Sequence, residues 1–172
     1  YGSLLERARA RMPDIRLAGD MIVGFPGESE QDHQASIDLL RRAQYKSCFI
    51  FKYSPRTGTV AHRRYEEQVP EETKKRRNQD LLKVQGQISH DLLNDHTGHT
   101  LEVLVEDFGK FKTSPNANES NLVQLGSGLA SKAWRQLRGR TTGDEIVVFD
   151  GPANLLGSLT QVKAQRATSL TI

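Results

Sequence analysis

The chain contains few of the residues on which disulfides, metal clusters and membrane spans depend. Among its 172 residues Cys48 is the only cysteine, which excludes an intrachain disulfide and a site built from several cysteines of this chain. A reducing, cytoplasmic setting is the expectation that follows. No apolar run approaches the roughly 20 residues that a membrane-spanning helix needs, so we expect a soluble protein without a membrane partner.

An excess of charge of one sign is also missing. The chain has 24 Lys and Arg against 21 Asp and Glu, a net charge of +3, which permits a nucleic-acid partner without requiring one. With 26% charged and 36% hydrophobic residues, the composition is that of a globular protein and argues against disorder. One stretch combines four cations with no acid: Lys132, Arg135, Arg138 and Arg140. The sequence therefore predicts a local basic patch and not a strongly basic domain.

The first part of the chain predicts alternating helices and strands. The pattern indicates a helix at 3–12, a strand at 17–25, a helix at about 30–44 with Ser29 as its N-cap, and a strand at 48–53. The consecutive apolar positions of the first strand are typical of a parallel strand covered on both faces. This order predicts a piece of a parallel α/β sheet or barrel. Because two strands alone rarely make a stable sheet, we expect the chain to be a fragment whose other strands lie upstream.

The second part predicts a long helix followed by short strands. Residues 54–69 indicate a loop, and the helix begins at Pro70 and ends near Gly98. Alternation begins at Leu101, and further strands are predicted at 121–125, 134–140, 145–149 and 159–164, with a loop at 113–120. Such spacing favours a small antiparallel barrel or sandwich. The expected fold class is α/β plus all-β, divided into 1–68, 69–97 and 98–172.

Both strands of the first part end in turns rich in glycine and proline. The first turn is Gly24-Phe25-Pro26-Gly27-Glu28, and the second is Tyr53-Ser54-Pro55-Arg56-Thr57-Gly58-Thr59. Ligands bind at the C-terminal edge of parallel strands, and glycines, which lack Cβ, let the backbone approach a ligand closely. On its own, the first motif is more typical of an ordinary strand-to-helix turn.

These turns, the helix start QVPEETKKRR and the later segments EVLVE, GRT and VVFDG occur in one order that resembles the C-terminal part of radical-SAM methylthiotransferases. The similarity is strongest to the MiaB-type tRNA enzymes. It implies the end of a radical-SAM (β/α) barrel, a connecting helix and a TRAM-type RNA-binding β-barrel. It also implies methylthiolation of N6-isopentenyladenosine beside the tRNA anticodon, with S-adenosylmethionine and two 4Fe-4S clusters. Clusters need several thiolates, so we expect this chain alone to be inactive and to hold neither cofactor.

The resemblance also implies which residues contact the cofactor and the RNA. The cofactor-binding residues are expected to be Ile22, Gly24, Pro26, Gly27, Phe51 and Tyr53, with Met21 and Val23 beside them. The residues expected to contact RNA are Arg56, Lys110, Phe111, Lys112, Lys132, Trp134, Arg135, Arg138 and Arg140. Cations bind phosphates and aromatic side chains stack on bases, and the anticodon stem-loop is the expected partner.

Ordinary structural roles compete with these assignments. A place in the hydrophobic core explains Trp134 equally well, and it also explains one of the two aromatic residues Phe51 and Tyr53. Cations that alternate along a strand commonly form a solvated face. The cations in 74–77 are expected to be exposed, Glu28 to balance a helix dipole, and no metal site is expected. Exposed sheet edges of a truncated barrel predict pairing with a second copy.

Two other functions remain open. One is a related methylthiotransferase that acts on an aspartate of a ribosomal protein, and the other is an RNA-binding module without catalysis. Arg56 in place of an acidic residue after Pro55, and the Gly139-Arg140-Thr141 segment, favour the tRNA enzyme.

Overall fold

A computed structural model describes residues 1–66, 69–109 and 134–172, which form two compact units, Tyr1–Leu92 and Leu93–Ile172. The helices are α1 (Gly2–Arg11), α2 (Glu30–Ala43), α3 (Val60–Arg64) and α4 (Glu71–Asn94). The strands are β1 (Ala18–Val23), β2 (Ser47–Lys52), β3 (Thr100–Phe108), β4 (Trp134–Arg140), β5 (Ile146–Pro152) and β6 (Leu159–Lys163). No described helix combines the length and apolarity needed to cross a membrane.

The first unit is built on two parallel strands, as the sequence predicts. β1 and β2 pair in register from Ala18 opposite Ser47 to Val23 opposite Lys52. The intervening α2 begins at a capping box, in which Ser29 Oγ accepts the Asp32 N–H at 3.2 Å and the Asp32 carboxylate accepts the Ser29 N–H at 2.9 Å. These reciprocal bonds satisfy two donors that a helix start leaves unpaired.

α4 packs into the core of the first unit. Leu81 and Ile88 of α4 join Leu40 of α2 and Tyr45 in one buried cluster, and Gln85 donates to the Tyr45 carbonyl at 2.8 Å. The three-part division of the chain at 1–68, 69–97 and 98–172 stays a prediction.

A short helix interrupts the segment that the sequence predicts as a loop at 54–69. α3 is capped by Thr59, whose Oγ1 accepts the His62 N–H at 3.2 Å. The loop prediction is wrong for Val60–Arg64 because five residues are too few to show an apolar helical period.

The second unit is a four-stranded antiparallel sheet that curls into a half-barrel, with the strand order β5-β4-β3-β6. Val103, Leu137 and Val147 are buried and alternate with neighbours that are more exposed, as expected for strands with one solvated face. The strands predicted at 134–140, 145–149 and 159–164 are confirmed, although β5 extends to Pro152. The strand predicted at 121–125 and the loop at 113–120 lie outside the described residues.

Candidate functional site

The two-stranded sheet has one packed face and one exposed face. Met21, Cys48 and Ile50 pack against the core of the first unit. On the other side Ile22 lies opposite Phe51 in the strand register, and the two side chains are 59% and 54% exposed. These exposures exclude Phe51 from the core and make this side, which we call the open face, an apolar surface.

Phe49 extends the open face and is absent from the residues that the sequence singles out. It is 64% exposed, and its ring stacks on that of Phe51 with the centroids 6.4 Å apart. Asp20 lies opposite Phe49 in the register and places a carboxylate on the same face. The signal that would identify Phe49 is the period of two along β2, since residues two apart share a face.

Met21 and Val23 lie on the face of β1 opposite to the open face. Met21 packs against the core and Val23 is 1% exposed. Both are direct neighbours of Ile22 along the strand, so their side chains point to the opposite face. Of the three apolar residues expected beside the cofactor, Ile22 alone has its side chain on the open face.

The segment Gly24–Glu28, called here the glycine turn, follows β1 directly. Gly24 and Gly27 have positive φ angles of 75° and 88°, which favour glycine because a Cβ is strained there. The Gly24 N–H donates to Glu28 Oε2 at 2.5 Å, and the Glu28 N–H donates to the Phe25 carbonyl at 2.9 Å. The turn is therefore closed by its own first and last residues.

The two glycines have different surroundings. A Cβ on Gly24 would lie 2.4 Å from Lys74 Cγ, whereas a Cβ on Gly27 would have no heavy atom within 4 Å. Gly24 is thus required by the packing of a lysine, and Gly27 borders open space that a ligand can approach. Pro26 between them is half-buried.

Two of the four cations in 74–77 are buried, so the expectation that this run is solvent-exposed is wrong for them. Lys74 is 2% exposed and Arg77 is 5% exposed. Arg77 Nη1 donates to Glu28 Oε2 at 2.7 Å and to the Glu28 carbonyl at 3.0 Å. The partner lies 49 residues away, so no local pattern in the sequence reveals this contact. Glu28 thus binds a buried arginine, a role the sequence does not indicate.

Lys74 joins the glycine turn to the residue after β2. Its Nζ donates to the Tyr53 carbonyl at 3.3 Å and lies 5.7 Å from the centroid of the Tyr53 ring. Tyr53 in turn donates its N–H to the Val23 carbonyl at 2.8 Å, and its ring meets that of Phe25 edge-on at 5.0 Å. The ends of β1 and β2 are therefore held together beside one buried cation.

The pKa values of the two buried cations beside the glycine turn are shifted in opposite directions. Burial, with a smaller repulsion from Lys52, lowers the pKa of Lys74. Burial also disfavours the charge of Arg77, but its hydrogen bonds with Glu28 and Glu30 outweigh this and raise the pKa of the guanidinium. Hydrogen bonds from Arg76 and Arg77 lower the pKa of Glu30 to about 2. The hydrogen bonds between Arg77 and Glu30 thus favour the charged form of both groups.

The expected cofactor fits the open face in part. Apolar and aromatic side chains at Ile22 and Phe51 suit an adenine ring, and the free space beside Gly27 suits close approach of a ligand to the backbone. An iron–sulfur cluster does not fit, since the chain has one cysteine and such clusters need several thiolate ligands. Within the described residues no group of three or more His, Cys, Asp or Glu could hold a metal ion.

Four of the described RNA candidates, Trp134, Arg135, Arg138 and Arg140, lie on β4 of the second unit. Trp134 is 45% exposed, which excludes a plain core role, and the Arg135 guanidinium lies 5.3 Å from the centroid of the Phe108 ring. Arg138 pairs with Asp107 at 3.2 Å. Lys110, Phe111, Lys112 and Lys132 lie outside the described residues. Arg135 therefore combines charge with a stacking surface, while the charge of Arg138 is already balanced.

Arg140 and Arg56 provide less support for RNA contact. Arg140 binds Glu106 at 3.1 Å and also pairs with Asp144, so its charge is neutralised by two acids. Arg56 is exposed, and its carbonyl accepts the Thr59 N–H at 3.2 Å at the start of α3. Arg56 belongs to the first unit, as does the glycine turn, whereas the candidates on β4 belong to the second unit.

Comparison with known proteins finds relatives along the whole chain. A tRNA-2-methylthio-N(6)-dimethylallyladenosine synthase from Carboxydothermus hydrogenoformans is 40% identical over 163 residues, covering 95% of this chain and 32% of the relative. The synthase of the same name from Desulfitobacterium hafniense is 39% identical over 172 residues, covering all of this chain and 34% of the relative. No family model matches the chain. The chain spans about a third of the length of these relatives, and the resemblance to a C-terminal portion of this family is confirmed.

Proposed function

Because the chain is related over its full length to a C-terminal portion of the MiaB-type tRNA-2-methylthio-N(6)-dimethylallyladenosine synthases, we propose that it is the corresponding part of a radical-SAM methylthiotransferase. The observation that carries this proposal is the 40% identity over 95% of the chain. The parent reaction is the methylthiolation of N6-isopentenyladenosine next to the tRNA anticodon. The names of the relatives favour this substrate over an aspartate of a ribosomal protein.

The open face and the glycine turn form one wall of the proposed cofactor site. Ile22 and Phe51 would contact the adenine of S-adenosylmethionine, and the open space beside Gly27 would let the cofactor approach the backbone closely. Gly24, Pro26 and Tyr53 would shape the turn and the adjoining strand end. When bound, S-adenosylmethionine supplies the radical and the methyl group, and the protein supplies position and exclusion of water. The two clusters would be held by cysteines outside this chain.

The antiparallel half-barrel is the proposed RNA-binding part, of TRAM type. Arg135 over Phe108 offers a cation beside a ring, and the exposed Trp134 offers a second ring on which a base can stack. Stacking contributes roughly 1–3 kcal/mol per base where it occurs. The anticodon stem-loop is the proposed partner, and the candidates at Lys110, Phe111, Lys112 and Lys132 remain part of this proposal. Cytoplasmic localisation follows from such a partner.

A matched pair on β4 tests the RNA-binding part. We expect Arg135→Ala to weaken binding of an isopentenylated anticodon stem-loop by roughly tenfold, since it loses a cation and a stacking plane. Arg138→Ala is expected to have a smaller effect because Asp107 already balances its charge. Fluorescence titration at several salt concentrations measures both, and the affinity should fall with rising salt. Equal affinity of the wild type and of the double variant that combines Arg135→Ala with Arg138→Ala would rule out this patch.

The proposed self-association concerns the first unit. β1 and β2 form a two-stranded sheet, and each therefore has one edge without a partner strand among the described residues. Such edges are templates for pairing with another chain. Sedimentation velocity of the chain over a range of concentrations tests this, and a concentration-independent monomer would contradict it.

A further inference from the structure

The carboxylate of Glu28 connects the glycine turn to α4 within the candidate cofactor wall. Glu28 Oε2 accepts hydrogen bonds from the Gly24 N–H at 2.5 Å and from Arg77 Nη1 at 2.7 Å. The two side chains are 11% and 6% exposed. A single oxygen thus fixes both ends of the turn and ties it to a helix that lies far downstream in the chain.

Arg77 makes further contacts that limit how this carboxylate can move. Its Nη1 also donates to the Glu28 carbonyl at 3.0 Å, and its Nη2 donates to Glu30 Oε2 at 3.1 Å. The planar guanidinium with its fixed fork of donors is suited to holding several acceptors in one geometry, which a lysine ammonium is not. The side chain of Arg77 therefore holds the carbonyl and the carboxylate of Glu28 together with the carboxylate of Glu30.

The adjacent Arg76 has the same chemistry without this contact. Its guanidinium is half-exposed and binds Glu30 at 2.8 Å and Asp80 at 3.3 Å. Both arginines lie on the first part of α4, so they have comparable effects on helix propensity and net charge. They differ in that Arg77 binds the residue that closes the glycine turn.

We propose that Arg77 is a positioning residue that holds the glycine turn in the geometry of the cofactor wall, acting through the carboxylate of Glu28. This inference rests on the proposed function only for the identity of the ligand. Without the guanidinium, Glu28 is a buried carboxylate without its cationic partner, and such a group moves toward water. The Gly24 N–H then loses its acceptor, and the turn opens beside Gly27.

Hydrogen exchange of individual amides in the 172-residue chain tests the positioning role. We expect Arg77→Met to speed exchange of the Gly24 amide by at least about tenfold relative to the buried Leu40 amide of α2. Arg76→Met is the matched control and should leave the Gly24 amide within about threefold of the wild type, since exposed pairs contribute little. Equal acceleration at Leu40 would mean a general loss of stability and would overturn the proposal, as would an unchanged Gly24 amide.

A conservative variant covers the case in which Arg77→Met does not fold. Arg77→Lys keeps the charge near Glu28 but cannot hold the carboxylate and the carbonyl together. We expect it to speed exchange of Gly24 alone, by less than Arg77→Met where that variant folds. A Gly24 amide as protected as in the wild type would overturn the proposal.

A separate titration distinguishes this proposal from the proposed function. S-adenosylhomocysteine, which lacks the reactive sulfonium, is added to the chain while the amide resonances of Ile22 and Gly27 are followed. We expect shifts in the wild type and in Arg76→Met, and weaker binding in Arg77→Met. If the exchange results hold and no protein shows shifts, the positioning role stands and the cofactor assignment of this wall fails.

Discussion

Replacing Gly24 by alanine tests the packing of Lys74 against the glycine turn. The Cβ added at Gly24 would lie 2.4 Å from Lys74 Cγ and 3.0 Å from its Cδ. Lys74 is 2% exposed, so its stem has little room to move away. The φ of 75° adds strain for any residue with a Cβ.

The magnitude follows from two contributions. A left-handed backbone costs a residue with a Cβ about 1–2 kcal/mol, and overpacking a filled site costs about 1–3 kcal/mol. Gly24→Ala should therefore lower the free energy of unfolding by roughly 2–5 kcal/mol. This is a large part of the roughly 5–15 kcal/mol that stabilises an ordinary domain.

Gly27→Ala provides the control within the same turn. Its φ of 88° carries similar strain, but its Cβ would meet open space, so only about 1–2 kcal/mol should be lost. Urea unfolding followed by circular dichroism measures both variants, and the difference between them isolates the contact with Lys74. Equal losses in the two variants would refute the packing argument.

Two further predictions concern charge and packing elsewhere. Because the pKa of Glu30 is lowered from 4.5 to about 2, its contribution to stability is present above about pH 4.5 and is lost as the pH falls through about 2. In thermal unfolding from pH 6 to 2, the stability of Arg76→Met should therefore fall less steeply with acid than that of the wild type, and parallel curves would contradict this. In the second unit a Cβ on Gly139 would lie 2.3 Å from the Leu104 carbonyl oxygen. Gly139→Ala should therefore destabilise the half-barrel by about 1–3 kcal/mol in denaturant unfolding. An unchanged midpoint would show that β3 and β4 can separate at no cost.

Local signals explain how much of the fold could be predicted from the sequence. The capping residue Ser29, the apolar stripe of α4 and the alternation along β3 each lie within one element, and the corresponding elements are where the sequence predicts them. The parallel pairing of β1 and β2 follows from the helix between them and the right-handed crossover. These features depend on neighbours in sequence, which a single chain displays directly.

The contacts that shape the candidate site are harder to predict from the sequence because they are long-range. Lys74 and Arg77 lie in a run of cations that is typical of an exposed helix start, yet their partners are Gly24, Tyr53 and Glu28. Burying a cation is costly without a partner, so a single sequence gives no reason to expect it. Phe49 can be predicted from the sequence, since it lies two residues from Phe51 on the same strand and therefore on the same face.

A truncation at residue 68 would separate the predicted motifs from the helix that supports them. Leu81, 0% exposed, and Ile88, 6% exposed, belong to the core of the first unit, and Gln85 and Ser89 donate to the carbonyls of Tyr45 and Lys46 at 2.8 and 2.9 Å. Losing two such apolar side chains alone costs about 4–10 kcal/mol at about 2–5 each, which approaches the whole stability of a domain. Residues 1–68 should therefore be unfolded by circular dichroism and one-dimensional NMR, while residues 1–97, which keep α4, should show dispersed resonances. A dispersed spectrum for residues 1–68 would mean that the turns at the strand ends hold their geometry without α4.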